Sequence, residues 1–345
     1  MAKCLKINEF PGSKRKMSLK TCWVVTDGRA GMLNQAWGLA EALERSDPDG
    51  GMTTVLKTIK VRAPWRWLPP GLWFDPLGSL TNDSDKLAPP WPDVVIGCGR
   101  LTIPLVMAIG RASKGKTFTV QLQDPRIAPS RFDLVVPPRH DHVAGENVFE
   151  TTGAVHRVTA EKLATEADRV RADLAWLPEP RVAVLIGGSN KYYKLTPEIA
   201  RDLAARLVQL ATDHGAGLMV TASRRTGADN ERTLREALKD APAVFWDGKG
   251  ENPYFAWLGL ADAIVVTCDS VSMTSEAAST GKPVYVVQLE GGSKKFNEFQ
   301  DLMRTQGHTR RFEGHLEDWQ PMPLEDTTLV AGEVRRRFEQ HLAKT

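Results

Sequence analysis

The stretch Ala263-Ile264-Val265-Val266-Thr267-Cys268-Asp269-Ser270-Val271-Ser272-Met273-Thr274-Ser275-Glu276 decides how this chain is read. Ala263–Thr267 is short, apolar and β-branched, which predicts a buried strand. A polar turn then opens a helix over Asp269–Thr280. Strand, polar turn and helix in that order make half of a parallel βαβ unit. The turn also leaves helix N–H groups and the positive dipole end unpaired, which favours an anion. Glu276 lies one to two turns into the helix, where a carboxylate can accept both hydroxyls of a ribose.

Working outward, the same half offers three more loops of this kind. The strand Arg181–Ile186 runs into Gly187-Gly188-Ser189-Asn190, which allows close backbone approach and supplies small donors. The strand Gly217–Thr221 runs into Ser223-Arg224-Arg225-Thr226, with two guanidiniums suited to phosphate. Asn252-Pro253-Tyr254 opens a helix over Asn252–Leu260. Ligands of parallel sheets bind outside the carboxyl ends of the strands. The candidate contacts for a nucleotide diphosphate are therefore these loops together with Asp269, Ser270, Val271, Ser272, Met273 and Glu276. Helices over Pro197–His214 (capped by Thr196), Asp229–Lys239 and Lys295–Thr305, and strands at Ala243–Trp246 and Pro283–Val287, complete this half.

The preceding half repeats the alternation. Thr21–Thr26 is a strand, Asp27-Gly28-Arg29-Ala30-Gly31 a turn, and a helix follows with Leu33, Trp37, Ala40 and Leu43 on one face. Strands are predicted at Thr53–Val61, Asp93–Gly97, Thr117–Gln123 and Phe132–Val136, with a helix at Leu101–Arg111. Residues 62–92 are so rich in proline and tryptophan that regular helix and inner strand are excluded. They read as a surface insertion pinned by its tryptophans. Gly28, Arg29, Gly31, Asn34, Gln35, Gly99, Arg100 and Gln123 stand at the strand ends of this half. Asp27, Asp124 and His140 are its candidate general bases, since a carboxylate or imidazole in a cleft can take a hydroxyl proton.

A helix over Thr159–Trp176 leads to Pro178-Glu179-Pro180, a stiff connection that divides a unit at 21–177 from one at 181–325. Residues 326–345 hold an amphipathic helix, Leu329–Leu342, whose Val330, Val334, Phe338 and Leu342 need a surface to pack on. Gly110–Thr117 matches the P-loop pattern letter for letter. Yet a helix precedes it and a strand follows, the reverse of what a phosphate cradle requires. Gly97-Cys98-Gly99-Arg100-Leu101-Thr102 has Thr102 where a dinucleotide fingerprint needs Gly or Ala.

Composition narrows the partners. The 345 residues carry 45 Lys and Arg against 42 Asp and Glu, a net +3. Six of those basic groups and one acid lie in residues 1–20; the remainder carries 39 against 41. A near-neutral body argues against a nucleic-acid binder that works by phosphate neutralisation. Residues 1–20 read as a disordered leader without an apolar core, and Met17 is a candidate start. Cys4, Cys22, Cys98 and Cys268 form no C-x-x-C pair, so reduced thiols in a cytoplasmic protein are expected. No histidine or carboxylate pattern suggests a metal site. No apolar run reaches the ~20 residues of a membrane span, so at most a peripheral membrane contact is expected.

These motifs, taken as a set over residues 20–340, resemble the elongated-mitochondria (mitochondrial fission) family. The stretches that carry the resemblance are Asp27–Gly31 with Asn34 and Gln35, Gln121–Arg126, Ile186–Gly188, Ser223–Thr226, Asn252–Tyr254 and Thr267–Met273. That family in turn is similar to GT-B glycosyltransferases. The resemblance implies an α/β fold of two Rossmann-like domains with parallel sheets facing a cleft. It implies a nucleotide-sugar (UDP-, GDP- or CMP-type) in the C-terminal domain, an acceptor in the N-terminal one, and a last helix crossing back to the N-terminal domain. Asp269–Glu276, followed by Gly281-Lys282-Pro283-Val284, looks like the GT-B donor stretch, which gives Glu276 the ribose. The first Gly-rich loop has a histidine in peptidoglycan N-acetylglucosaminyltransferases; here it has Asp27 and Arg29. The expected activity is metal-independent glycosyl transfer requiring no cofactor. The alternatives are a non-catalytic adaptor, since plant relatives recruit a dynamin-related protein, and a nucleotide-sugar epimerase or hydrolase.

Overall fold

Two parallel sheets organise the residues that the computed structural model describes, 19–47 and 50–344. Most of the predicted leader, including Cys4 and Met17, lies outside these residues. The first sheet has the strand order β2-β1-β3-β4-β5, from Thr53–Thr58 (β2), Thr21–Thr26 (β1), Val94–Cys98 (β3), Phe118–Leu122 (β4) and Leu134–Val136 (β5). Apart from β2, its strands are buried on both faces save for Thr21, which is why they read as unbroken apolar runs and not as alternations. The helices Ala30–Arg45 (α1) and Ile103–Ala112 (α2) connect them.

The second sheet has the order β13-β11-β10-β6-β8-β9. Its strands are Arg181–Ile186 (β6), Gly217–Ala222 (β8), Ala243–Phe245 (β9), Ala263–Thr267 (β10), Val284–Val287 (β11) and Arg310–Arg311 (β13). Around it run Pro197–His214 (α4), Ala228–Ala237 (α5), Tyr254–Leu260 (α6), Val271–Ala278 (α7) and Lys294–Thr305 (α8). In each sheet the strand order reverses once, between β1 and β3 and between β6 and β10. A crevice opens at such a switch point, outside the carboxyl ends of the strands. The loops singled out in the sequence follow the strands that flank these switch points.

The two halves are tied twice by the chain. Ala160–Val170 (α3) was assigned by sequence to the first half, yet its Leu163 and Ala167 belong to the core of the second sheet. Thr159 caps it, accepting from the Lys162 N–H at 3.1 Å. It ends at Val170 and gives way to turns, six residues short of the predicted Trp176. The last helix, Asp326–Leu342 (α9), returns to the first half, where Val330, Ala331, Val334 and Phe338 are buried with Leu39 and Leu43 of α1. The buried face of α1 is Ala36, Leu39, Ala40 and Leu43, whereas Leu33 and Trp37 are only half-buried.

Residues 62–92 contain no strand and no α-helix, only three single 3-10 turns. Trp65 and Trp73 are buried and anchor the insertion; Trp91 stands edge-on to Trp23 of β1, centroids 5.9 Å apart. Gly110–Thr117 joins the end of α2 to β4, the reverse of a P-loop. A short antiparallel ladder of Tyr193–Lys194 (β7) and Glu290–Gly291 (β12) escaped the sequence reading, as did β13.

Candidate functional site

At the switch point of the second sheet the ends of β6, β8 and β10 are held by one buried carboxylate. Asp269 follows β10, and its side chain is fully buried. It accepts from Thr267 Oγ1 at 2.6 Å and from Arg225 Nη2 at 2.6 Å. Arg225 comes from the turn after β8 and remains nearly half exposed, so its other donors face outwards. Gly187, at the end of β6, is required here: a Cβ would lie 2.3 Å from both carboxylate oxygens. Gly188 has φ +135°, and a Cβ there would meet the Arg225 carbonyl at 2.2 Å. The backbone therefore packs directly against the arginine turn, and the Ser189 N–H donates to that carbonyl at 3.0 Å.

The turn 223–226 is locked from its other side. Ser223 Oγ and Thr226 Oγ1 both donate to the Gly187 carbonyl, the latter at 2.7 Å. Asn190 Nδ2 donates to the Asp269 carbonyl at 3.3 Å, and Asn190 Oδ1 accepts from the N–H groups of Tyr192 and Tyr193. Ser270 caps α7, its Oγ accepting from the Met273 N–H at 3.3 Å. Val271, Ser272 and Met273, the first turn of α7, are partly exposed. Arg224 is exposed and makes no hydrogen bond or ion pair among the described residues. The result is a cross-braced rim with exposed Arg224 and half-exposed Arg225 beside a helix N-terminus.

Glu276 lies deeper. It is 4% exposed, and Tyr254 OH donates to its Oε2 at 2.6 Å. Burial raises its carboxyl to about 7 despite the opposing hydrogen bond from Tyr254, and the burial of Tyr254, reinforced by Glu276, holds that hydroxyl well above its ordinary range. A ribose reaching Glu276 would have to share it with Tyr254. Asn252 Oδ1 accepts from the Tyr254 N–H at 3.1 Å and so fixes the start of α6.

The first half faces this rim through α1. Gln35 Nε2 donates to Ser272 Oγ at 3.2 Å, while Gln35 Oε1 accepts from Gln123 Nε2 at 3.1 Å and from Cys98 Sγ at 3.6 Å. One amide thus links the ends of β3 and β4 to the first turn of α7, across the cleft. Gln123 holds this position with φ +68°, a backbone strain that persists only where neighbours enforce it. Asp27, 12% exposed, accepts from its own loop: from the Arg29 N–H at 3.2 Å, with Arg29 Nε 3.3 Å from its Oδ2. Gly28, Arg29 and Gly31 are exposed, and Asn34 is partly so. Arg100 turns away from the cleft, donating to the carbonyls of Leu68 and Arg66 in the insertion; Gly99 lies against Met32.

Asp124 and His140 are drawn to a different contact, beneath α8. His140 is buried edge-on against Phe299, ring centroids 5.2 Å apart, and desolvation lowers it to about 4. Asp141, 5% exposed, pairs with Lys295 of α8 and accepts from the Asp124 N–H at 3.3 Å. His142 Nε2 meets Glu298 Oε2 at 2.7 Å. Asp124 itself accepts from the Arg126 N–H at 2.7 Å. This contact between the halves was not legible in the sequence, nor was Ser275, whose Oγ accepts from the Ala154 N–H at 2.9 Å.

Among the described residues, no group of three His, Cys, Asp or Glu is placed to hold a metal ion. Cys22, Cys98 and Cys268 are buried free thiols. No helix among the described residues is long and apolar enough to cross a membrane. A cavity of about 440 Å³ lies between α4, the carboxyl end of β11 and the residues at the end of β13. The ion pairs of Arg206 with Asp202 and Glu313 line it.

The sequence profile described as "Mitochondrial fission ELM1" matches residues 30–338. The mitochondrial fission protein ELM1 of Arabidopsis thaliana is 36% identical over 274 residues, 72% of this chain. The match spans 64% of that relative's length. Among solved structures, the UDP-GlcNAc 2-epimerase of Methanocaldococcus jannaschii superposes with a TM-score of 0.51 at 13% identity, covering 95% of this chain and all of that one. The Arabidopsis thaliana protein UGT89C1, complexed with UDP, gives 0.51 at 13% identity over 94% of this chain and 93% of that one. These likenesses, with the two parallel sheets and the returning helix, make the fold GT-B-like.

Proposed function

This chain belongs to the mitochondrial fission ELM1 family, and from that premise we propose that it is a metal-independent glycosyltransferase of GT-B-like fold. A nucleotide-sugar sits on the rim of the second sheet, and an acceptor hydroxyl approaches from the first. The observation that carries this reading is the Asp269–Arg225 pair at the β6/β10 switch point, facing α1 across the cleft.

The proposed chemistry follows from the groups available. The acceptor oxygen attacks the anomeric carbon while the bond from that carbon to the diphosphate breaks. Negative charge then develops on the departing diphosphate, where Arg225, Arg224 and the N-terminus of α7 neutralise it; such leaving-group stabilisation is where most of the rate arises. Asp27 receives the proton of the acceptor hydroxyl. Gly187 and Gly188 let the backbone approach the phosphates, Ser189, Asn190 and Ser270 donate to them, and Glu276 takes the ribose. UDP is the nucleotide favoured, because UGT89C1 of the same fold is complexed with it. The buried free thiols suit a reducing compartment such as the cytoplasm.

The test is turnover of UDP-, GDP- and CMP-sugars with and without an acceptor extract. Donor consumed only with acceptor supports transfer. Consumption without acceptor supports a hydrolase, and interconversion of sugars an epimerase. No binding of any nucleotide ends all three. A second reading, an adaptor that keeps the fold and works through its surface, is favoured by the exposed apolar side chains of the 62–92 insertion.

A further inference from the structure

Gln35 is 6% exposed in α1 of the first half, and both ends of its amide are held. Its Oε1 accepts from Gln123 Nε2 at 3.1 Å and faces Cys98 Sγ at 3.6 Å. Burial, reinforced by Asp27, raises the Cys98 thiol above its ordinary range, so the thiol keeps its proton. For that proton the amide oxygen is a stronger acceptor than the other neighbour, Met32 Sδ at 3.5 Å. Two donors thus fix the Gln35 oxygen on the side of the first half. The nitrogen is left to face the second half, where it donates to Ser272 Oγ at 3.2 Å.

Ser272 differs from the serines that follow it. Ser275 and Ser279 each donate to the carbonyl one turn back, both at 2.8 Å. Ser272 is the second residue of α7, and the carbonyl four residues before it, that of Cys268, takes Gln300 Nε2 at 3.1 Å instead. Ser272 is partly exposed, and its hydroxyl donates to no group among the described residues. A hydroxyl that accepts on one side turns its proton to another. That proton leaves from the first turn of α7, just after the Asp269 that holds Arg225. We propose that Gln35 is a positioning residue, which from the first half orients the Ser272 hydroxyl to donate to a diphosphate held by the second. This rests on the nucleotide-sugar reading of the rim. It adds that the acceptor half takes part in holding the donor, through one amide and one hydroxyl.

The experiment is calorimetric titration of the full chain with UDP, and displacement of that UDP by inorganic pyrophosphate. Ser272→Ala should weaken UDP by roughly tenfold, as expected for one hydrogen bond to a charged group. Gln35→Met keeps the length and removes the amide; it should weaken UDP by about threefold to tenfold, and pyrophosphate by the same factor. The combined variant should bind no more weakly than Ser272→Ala alone, because Gln35 acts through that hydroxyl. Gln123→Met, at a half-buried position, frees the Gln35 amide to turn and should give a milder loss that vanishes in the Ser272→Ala background. It carries the test if Gln35→Met does not fold. Unchanged UDP binding by the Gln35 and Gln123 variants, or losses that multiply in the combined variant, overturns the proposal and leaves the nucleotide site standing. So does a loss for UDP that pyrophosphate does not share, which makes Gln35 a wall of the cleft and nothing more. No UDP binding by the parent chain overturns the nucleotide reading itself, and this proposal with it.

Discussion

Asp269 and Glu276 sit seven residues apart on one loop and helix, and the fold puts them to opposite uses. Asp269 fastens three strand ends, so Asp269→Asn should weaken nucleotide binding by freeing Arg225 while Arg225→Lys, which keeps the charge but loses the fork, should weaken it less than Arg225→Ala. Calorimetric titration of the three variants with UDP checks the order. Glu276 instead makes stability depend on pH, because burial raises its carboxyl. Its folded value of about 7 lies above the ordinary 4.5, so between those values the folded chain holds a proton that the unfolded chain has released. Stability contributed by this group is therefore greatest at low pH and falls as pH rises through that window. Glu276→Gln, which keeps an acceptor for Tyr254, should be more stable than the parent at about pH 8, by on the order of 2 kcal/mol, with the gap closing near pH 5. Urea titrations at the two pH values measure it. The sequence named both carboxylates but not this division of labour, because burial depends on what α6 brings over α7. It could not foresee that Arg100 would serve the insertion, or that His140 would be sealed under Phe299.

The elements were the most legible part of the chain. β1, β6, β10 and α4 have the ends their sequence implies, since each is bounded by a turn residue or a cap such as Thr196, which accepts from the Ile199 N–H. β7, β12 and β13 are two residues long, too short for any periodicity, and they exist only because neighbouring strands supply the ladder. The placement of α3 was misjudged for a related reason: its apolar face fits either core, and what selects the second is α6, where Gly259 lets the Leu163 carbonyl approach. A similar close approach holds α1. A Cβ on Gly38 would stand 2.3 Å from the His156 carbonyl oxygen, and beside it Arg157 forks onto Glu41 with Nε at 3.1 Å from each carboxylate oxygen. Gly38→Ala is therefore expected to destabilise by about 1–3 kcal/mol even though alanine favours helix, because the obstacle is backbone. A urea midpoint at or above that of the parent would show that the linker yields.

At the scale of the whole molecule, the halves meet along a band running from the crossing segments to the mouth of the cleft. Asp326 accepts from the N–H groups of Thr152 and Gly153 at 3.2 and 2.7 Å, binding the two crossing segments together. His156 Nε2 meets Ser279 Oγ at 2.5 Å, and desolvation lowers this histidine to about 4, so it is neutral there. At the mouth, Lys295 pairs with nearly buried Asp141, while Glu298 meets a His142 that is 71% exposed. Removing Lys295 strands a buried carboxylate, whereas the His142 contact is solvent-screened. Lys295→Ala should therefore cost about 1–3 kcal/mol and widen the particle in small-angle scattering, and Glu298→Ala should cost under about 1 kcal/mol. Equal effects would contradict this. These contacts join residues more than a hundred positions apart, which is why two matching halves are legible in the sequence but the band between them is not. On the proposed function, the rim of the second sheet holds a nucleotide diphosphate. That binding is measured most directly by calorimetric titration of the full chain with UDP, beside Arg225→Ala. Saturable binding that the variant weakens by roughly tenfold or more is the predicted result; no heat with UDP, or identical binding by both chains, contradicts it.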